Sequence, residues 1–264
     1  MAEEYRYIYG PVFSWRLGRS LGIDLLSQQE KVCNFDCLYC QLGATKGRVT
    51  ERKVYVPEKE VIGELERMPS SGIDHITFSG RGEPALAQNL GRAIKAVKSL
   101  IKIPVAVITN SSLINKEEVR SELFLADLVI AKLDAYSQGS LKIMNNPDWA
   151  IKFPDILEGI KKFRKEYNGK LALQMMFIDS NKSAMEEYAR LADHIKADEI
   201  QLNTPLRPCG VKPLSRKEVF MIKDHFTLQC KGASVVSVYD QRPHPQVVSI
   251  SAGDTLRRRG KPYS

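Results

Sequence analysis

The chain has 264 residues, of which 43% are hydrophobic and 27% are charged. This composition excludes a disordered chain, a collagen-like repeat and a disulfide-stabilised miniprotein, and the length suffices to bury the core of one large domain. Lysine and arginine number 39 against 31 acidic residues, a net charge of +8 that favours anionic partners such as nucleic acid, phosphates or carboxylates.

The chain shows no targeting signal. Residues 1–6 are charged where a signal peptide has an apolar core, and no apolar run approaches the length of a membrane span. We therefore expect a cytoplasmic protein with no membrane partner, in which thiols stay reduced. In that compartment the five cysteines indicate metal binding or catalysis rather than a disulfide framework.

Short β-branched segments alternate with longer amphipathic segments, which predicts alternating strands and helices. The predicted strands, in chain order, are residues 20–26, 75–78, 105–109, 128–133, 171–178, 199–202 and 235–239. The predicted helices begin near Pro57 and continue at residues 84–101, 116–126, 155–167, 183–196 and 215–226. Six strand–helix units predict an α/β fold with a parallel sheet, as a partial barrel or a doubly wound sheet. In either fold, the chemistry lies beyond the carboxyl ends of the strands.

The same pattern predicts three segments. Residues 1–19 form an N-terminal extension, residues 20–226 the barrel, and residues 227–264 a C-terminal strand with a basic tail. Basic runs at residues 161–165 and 257–261 suit contacts to phosphate groups. A solvated helix face explains the first run as well, and a disordered tail explains the second.

Three cysteines follow the first predicted strand within eight residues. Cys33, Cys37 and Cys40 have the spacing CxxxCxxC, and three thiolates can hold three corners of a 4Fe–4S cluster. The fourth iron is then open to a small chelate, such as the amine and carboxylate of an amino acid. Two alternatives are a zinc site completed by a histidine and cysteines that only pack. The three-residue first gap is unusual for zinc knuckles, and no paired His motif lies nearby.

This loop resembles the CxxxCxΦC motif of the radical S-adenosylmethionine (radical SAM) superfamily, with Tyr39 as the aromatic residue. The resemblance implies that Cys33, Cys37 and Cys40 bind one 4Fe–4S cluster and that SAM chelates the open iron. It implies a reducing partner such as ferredoxin or flavodoxin, whose electron cleaves SAM to methionine and a 5′-deoxyadenosyl radical. It also implies a partial (βα)6 barrel over about residues 20–226, in agreement with the six units.

The segment Ser-Gly-Arg-Gly-Glu-Pro at residues 79–84 ends the second predicted strand. Gly80 and Gly82 allow close backbone approach to a ligand, and Glu83 supplies a carboxylate. The segment resembles the GGE-type motif of the superfamily, which implies that Glu83 and the backbone near Gly82 hold the SAM amino group. An ordinary strand-to-helix turn is the alternative.

Polar side chains also end three later strands. Asn110, Asp134 and Asn203 are expected to meet the ribose or carboxylate of SAM, and Asp134 alternatively the substrate. Turns and helix caps explain each of them equally well. Gln174 and Asp179, on the fifth predicted strand and at its end, are weaker candidates.

Two residues of one proline-rich loop are weak candidates for substrate contacts. Arg207 can clamp a carboxylate or phosphate, and Cys209 can act as a substrate-side thiol or an extra metal ligand. A surface arginine is the plain alternative. Cys230 has no partner in the sequence and is expected to be a small buried hydrophobic residue. Trp15 and Arg16 are expected either to cover the SAM site or, for Trp15, to pack in the core.

Residues 9–24, 78–84 and 201–205 are similar to iron–sulfur oxidoreductases related to the tRNA wyosine-base synthases. Those synthases use additional N-terminal cysteines for a second cluster, whereas this chain has none before Cys33. The resemblance and the basic charge together favour tRNA as substrate. One alternative is a radical SAM enzyme that modifies a peptide or protein or activates a glycyl-radical enzyme. Another is a non-catalytic iron–sulfur or zinc module.

Overall fold

The computed structural model describes residues 5–68, 72–241, 246–250 and 252–259. Its centre is one eight-stranded sheet in which the spatial order of the strands follows the chain. The strands are β1 (Ile8–Ser14), β2 (Gly18–Ile23), β3 (His75–Phe78), β4 (Val105–Thr109), β5 (Leu128–Lys132), β6 (Lys170–Met176), β7 (Glu199–Asn203) and β8 (Ser234–Ser237). Strand β1 is antiparallel to β2, and every later pair is parallel.

Helices connect the parallel strands and cover the outer face of the sheet. They are α1 (Glu58–Arg67), α2 (Leu90–Leu100), α3 (Glu117–Leu123), α4 (Gln138–Asn145), α5 (Phe153–Glu166), α6 (Met185–Ile195) and α7 (Arg216–Gln229). A further helix, α8 (Ala252–Arg259), follows β8 and contacts β1. The sheet curls into a half-barrel, and strands β2 to β7 each lead into a helical crossover. The predicted α/β partial (βα)6 barrel is therefore confirmed, with β1 and β8 added at its edges. No helix in the described part of the chain has the length and apolar character needed to span a bilayer.

Side chains alternate between the two faces of the sheet and thereby define the inside of the half-barrel. Val129 and Ala131 of β5 face the helices and belong to the main core. Ile130 of the same strand instead joins Leu17, from the β1–β2 turn, in a small cluster with Ala106, Leu128 and Ala172. This apolar cluster fills the amino-terminal end of the interior. By the same alternation, the inner face beyond it carries Lys132 on β5, and Gln174 and Met176 on β6.

The predicted helix over residues 84–101 is wrong in its first part. Residues Pro84–Leu86 form a 3-10 turn, and α2 begins only at Leu90. The reason is tertiary, because the connector residue Lys53 pairs with Ala87 and its carbonyl accepts the N–H of Gln88 at 2.9 Å. These bonds hold the chain extended where the hydrophobic pattern predicts helix.

The structure adds three elements that the sequence pattern did not predict, namely β1, α4 and α8. Strand β1, from the predicted extension, and β8, from the predicted C-terminal segment, both belong to the sheet. Helix α8 contains Arg257, Arg258 and Arg259, so these residues form a helix rather than a disordered tail; residues 260–261 lie outside the described residues. The segment boundaries at residues 19 and 226 stay a prediction.

The other basic run lies on α5 and pairs with acidic neighbours. The Arg164 guanidinium donates to both carboxylate oxygens of Asp198, at 3.0 and 2.9 Å. Lys161 Nζ lies 2.8 Å from Glu158 on the same helix. These contacts agree with the interpretation of this run as a solvated helix face.

Candidate functional site

The cysteine loop follows β2 at the carboxyl edge of the sheet and is clamped on two sides. On one side, Val32 donates its N–H to the Arg81 carbonyl and accepts that of Glu83, each at 3.0 Å. A Cβ at Gly82 would lie 1.7 Å from the Val32 oxygen, so this approach requires glycine. On the other side, Leu38 donates its N–H to the Met144 carbonyl of α4 at 3.0 Å.

Each of the three cysteines is a free, partly buried thiol with a nitrogen donor nearby. The amide of Asn145 donates to Cys37 Sγ at 3.3 Å, and the ammonium of Lys31 donates to Cys40 Sγ at 3.3 Å. The amide of Asn110 lies 3.9 Å from Cys33 Sγ. Donors of this kind stabilise negative charge on sulfur and tune iron–sulfur clusters.

Burial raises the pKa of Cys33 to about 12 and that of Cys37 to about 11, with the neighbouring thiols acting in the same direction. Burial thus disfavours the thiolate, and a bound cationic metal centre would favour it, since coordination deprotonates a thiol. Within the described ranges, no three His, Cys, Asp or Glu side chains converge on a single metal ion. A 4Fe–4S cluster does not require that arrangement, since each thiolate binds a different iron. The donor set therefore fits the cluster.

Glu83 lies buried beside the loop, in the segment that follows β3, where it caps the 3-10 turn at Pro84–Leu86. Its Oε1 accepts the hydroxyl of Thr109 at 2.6 Å and the N–H of Ala85 at 3.0 Å, and its Oε2 accepts the N–H of Asn110 at 2.6 Å. Burial outweighs these donors and raises the pKa of the Glu83 carboxyl to about 7. A carboxylate in this position is prepared to receive a cationic group such as an ammonium.

Asp134 connects the cysteine loop to the sheet. Its Oδ1 accepts the N–H of Met176 at 2.7 Å, while the Tyr39 hydroxyl donates to its Oδ2. Lys132 Nζ lies 3.0 Å from the same Oδ2, and Asn145 Nδ2 lies 2.7 Å from the Tyr39 hydroxyl. The carboxylate thus fixes Tyr39, and through it the loop, while its contact with SAM or substrate stays a prediction.

A cavity of about 470 Å³ opens on the inner face of the half-barrel. Among the predicted site residues, its wall includes Tyr39, Cys40, Gly80, Gln174, Asn203 and Arg207. The predicted cover residues Trp15 and Arg16 also line it. Gly80 has a φ of +136°, and a Cβ there would lie 2.4 Å from Asp24 Cγ, so the wall at this point is bare backbone.

The other predicted residues lie around the cavity rather than in its wall. Asn110 and Asp134 line a small adjacent depression. Cys209 packs with Cys37 and Val211 against the buried cluster that contains Tyr39, and its thiol donates to the Val211 carbonyl at 3.3 Å. Asp179 is exposed and pairs with Lys182, away from the wall.

Cys230 is 2% exposed and its thiol donates to the Ala189 carbonyl at 3.4 Å, as expected of a small buried residue.

The sequence did not predict four residues of the site. Lys31 and Asn145 donate to the thiols, and Arg258 and Arg259 line the cavity. Asn145 ends a helix that was not predicted, although Ser137 starts that helix with a capping box. Nothing in the sequence around Arg258 and Arg259 indicates that they line the cavity.

Comparisons of sequence identify the family. The family model described as the radical SAM superfamily matches residues 31–192. A UPF0026 protein of Synechocystis is 37% identical over 100% of this chain and 94% of its own length. A UPF0026 protein of Methanocaldococcus jannaschii is 36% identical over 81% of this chain and 68% of its own. A probable GTP 3′,8-cyclase of Saccharolobus islandicus is 27% identical over 77% of this chain and 63% of its own length.

Comparisons of structure agree on the fold. Streptococcus suis SuiB bound to S-adenosylmethionine superposes with a TM-score of 0.63 at 16% identity, covering 79% of this chain and 48% of SuiB. TYW1 with a lysine-pyruvate adduct also gives a TM-score of 0.63 at 16% identity, covering 80% of this chain and 73% of TYW1. The superfamily match extends over more than half of the chain and includes all three clustered cysteines. The chain is therefore an enzyme of the radical SAM superfamily.

Proposed function

We propose that this protein cleaves SAM reductively and uses the resulting radical to abstract hydrogen from a substrate. The observation that carries the proposal is the set of three free thiols, each approached by a nitrogen donor, whose Cys40 reaches the wall of the cavity. A bound 4Fe–4S cluster would supply the electron that splits SAM into methionine and a 5′-deoxyadenosyl radical. Ferredoxin or flavodoxin is the proposed source of that electron.

The residues around the cluster position have distinct roles in this proposal. Cys33, Cys37 and Cys40 would hold a 4Fe–4S cluster through three of its irons, which would leave the fourth for the amine and carboxylate of SAM. Glu83 binds the SAM amino group from the side of β3. Tyr39, held by Asp134, supports the loop against β5 and β6.

The cavity wall extends these roles to the nucleoside and the substrate. The backbone at Gly80 and the amide of Asn203 line the space where the nucleoside is expected, while Asn110 acts from the neighbouring depression. Trp15 and Arg16, from the β1–β2 turn, line the same space, and we propose that they help to exclude water from the radical. Exclusion of water protects a reactive intermediate from side reactions.

The identity of the substrate is a separate proposal. The similarity to TYW1 concerns the fold alone at 16% identity, and the +8 charge suits any anionic ligand. The tRNA hypothesis therefore depends on the sequence resemblance. A peptide substrate is seen in the structure of SuiB bound to its precursor peptide, which shares the same fold.

The test is anaerobic reconstitution of the full chain with iron and sulfide, followed by SAM and dithionite, with 5′-deoxyadenosine as the measured product. We expect wild-type protein to show iron–sulfur absorbance and to release the product. Cys37→Ala removes one of three ligands, so both signals should fall to background. Cys230→Ala is the matched control, because this thiol is buried away from the loop, and it should keep both.

Two further outcomes decide the alternatives. Retention of the cluster in Cys209→Ala would agree with three ligands, whereas loss of it would make Cys209 a fourth ligand. Tightly bound zinc together with no 5′-deoxyadenosine would contradict the radical mechanism and favour a non-catalytic metal module.

A further inference from the structure

Asn145 is the last residue of α4 and lies next to Cys37 of the cysteine loop. Its backbone carbonyl accepts the N–H of Asp36 at 2.9 Å, which bonds the end of the helix to the loop. Its side-chain nitrogen, Nδ2, lies 3.3 Å from Cys37 Sγ and 2.7 Å from the Tyr39 hydroxyl oxygen. Asn145 is 1% exposed, so bulk water does not compete for these two bonds.

Asp134 fixes the direction of the hydrogen bond between Asn145 and Tyr39. The Oδ1 of Asp134 accepts the N–H of Met176 at 2.7 Å. Its Oδ2 is contacted by both Lys132 Nζ and the Tyr39 hydroxyl. An ionised carboxylate only accepts hydrogen bonds, so the Tyr39 hydroxyl gives its proton to Asp134. The Tyr39 oxygen is then left to accept a hydrogen bond from Asn145.

This constraint decides which end of the Asn145 amide faces Cys37. Only the NH₂ group can donate to the Tyr39 oxygen, and the second proton of the same nitrogen is then available to Cys37 Sγ. The amide oxygen, Oδ1, is buried without a hydrogen-bond partner in the described structure, which costs free energy. The contacts around Tyr39 therefore keep a donor on Cys37 although an oxygen is left unpaired.

A donor on a ligand sulfur changes the energy of an added electron. The electron required by the proposed function adds negative charge to the cluster and its sulfur ligands, and an N–H bond to such a sulfur strengthens as that charge grows. Hydrogen bonds to the sulfurs are among the factors that set the potential of iron–sulfur clusters. A buried donor on Cys37 therefore favours the reduced state.

We propose that Asn145 raises the reduction potential of the cluster through Cys37, and that Tyr39 and Asp134 hold its amide in the donating orientation. Asn145 acts through a ligand and touches no reacting atom, so it is a positioning residue. This inference rests on the proposed function, since it concerns the cluster of the same site.

The test is a redox titration of the iron–sulfur-reconstituted full chain, without SAM, monitored by electron paramagnetic resonance of the reduced cluster. Asn145→Leu removes the donor and keeps a similar side-chain volume. At a fixed solution potential, the ratio of reduced to oxidised cluster should fall about ten-fold, as for one lost hydrogen bond to a charged group. For a one-electron couple, this fall equals a shift of about 59 mV to lower potential.

Asn146→Gly is the matched control. Asn146 is exposed and has a φ of +39°, which glycine adopts readily, so this variant removes a neighbouring amide without strain. Its cluster should keep the wild-type potential. An unchanged or higher potential in Asn145→Leu would overturn the proposal, because a residue that only stabilises the fold does not move the potential.

Tyr39→Phe tests the positioning of the amide. Loss of the hydroxyl releases Asn145, so the potential should fall in the same direction but by less. The double variant, Asn145→Leu with Tyr39→Phe, should have the potential of Asn145→Leu alone, because the hydroxyl acts through the amide. Additive shifts would overturn the positioning role of Tyr39.

Iron and sulfide contents are measured in every variant and should match those of the wild type. If Asn145→Leu loses the cluster, Tyr39→Phe decides, and an unshifted potential there overturns the proposal. Shifted potentials without 5′-deoxyadenosine from the wild type would contradict the proposed function and leave the role of Asn145 standing. Release of 5′-deoxyadenosine by the wild type with an unshifted Asn145→Leu potential would contradict this inference alone.

Discussion

At the scale of single residues, Glu83 shows how burial prepares a polar group for a ligand. Three donors converge on its carboxylate, yet burial keeps its pKa at about 7, above the ordinary value of 4.5. Between these two pH values, the folded protein holds a proton that the unfolded chain releases. Stability from this group is therefore present below about pH 4.5 and is lost as the pH rises toward 7.

Glu83→Gln should remove this dependence. In protein without SAM or cluster, the wild type should lose stability relative to the variant between about pH 5 and pH 7, by an amount of the order of 1–3 kcal/mol. Urea unfolding at several pH values measures the difference. Glu186→Gln, at an exposed carboxylate of α6, controls for the loss of a negative charge. Parallel pH profiles for wild type and Glu83→Gln would show that Glu83 is ionised across this range.

At the scale of elements, two glycines inside helices have opposite surroundings. Gly159 of α5 faces the loop after β4, and a Cβ there would lie 2.6 Å from the backbone nitrogen of Asn115. Gly63 of α1 faces open space, with its nearest contact, Arg67 Nη1, at 4.0 Å. Gly159 therefore permits a close helix–loop approach, whereas Gly63 only adds flexibility to the unfolded chain.

The two alanine variants should therefore change stability in opposite directions. Gly159→Ala should lower the free energy of unfolding by about 1–3 kcal/mol, because rigid backbone must move. Gly63→Ala should raise it by up to about 1 kcal/mol through helix propensity. Urea midpoints measure both. A stabilised Gly159→Ala variant would mean that α5 does not pack against this loop.

At the scale of the whole molecule, α8 links the C-terminal part of the chain to the ligand-binding edge. The Arg258 guanidinium pairs with Asp24 at the end of β2, and both side chains are almost fully buried. Asp24 also accepts the N–H of Arg81 at 3.3 Å and lies directly behind Gly80. Helix α8 is thereby anchored beneath the segment proposed to hold SAM.

Arg258→Met should lower the free energy of unfolding by about 3–5 kcal/mol, because it leaves the Asp24 carboxylate buried without its cation. Asp24→Asn combined with Arg258→Met should recover much of this loss, since no charge is then left buried and the amide oxygen still accepts the backbone N–H of Leu26, at the cost of the longer bond from Arg81. Arg257→Met, at an exposed position of the same helix, is the control. If Arg258→Met unfolds at the wild-type urea concentration, the ion pair does not anchor α8.

The sequence by itself determined the features that depend on neighbours along the chain. The spacing of Cys33, Cys37 and Cys40, the glycines around Glu83 and the alternation of strands and helices are all local patterns. Local hydrogen bonding and hydrophobic periodicity follow from such patterns, so a parallel α/β sheet with a cysteine loop was predictable. The partial barrel, rather than a doubly wound sheet, was implied by the resemblance to the radical SAM superfamily. The start of α2 was not, because Lys53, from a distant connector, holds Ala87 extended.

The tertiary structure alone decided which side chains meet. The sequence predicted a ligand contact for Asp134 but did not indicate that its carboxylate accepts the Tyr39 hydroxyl. It offered no reason for Arg16, Arg207 and Arg259 to share one cavity wall. Their convergence depends on the curvature of the sheet and on the burial of Arg258 against Asp24. Both are long-range packing effects, for which no local pattern of residues carries a signal.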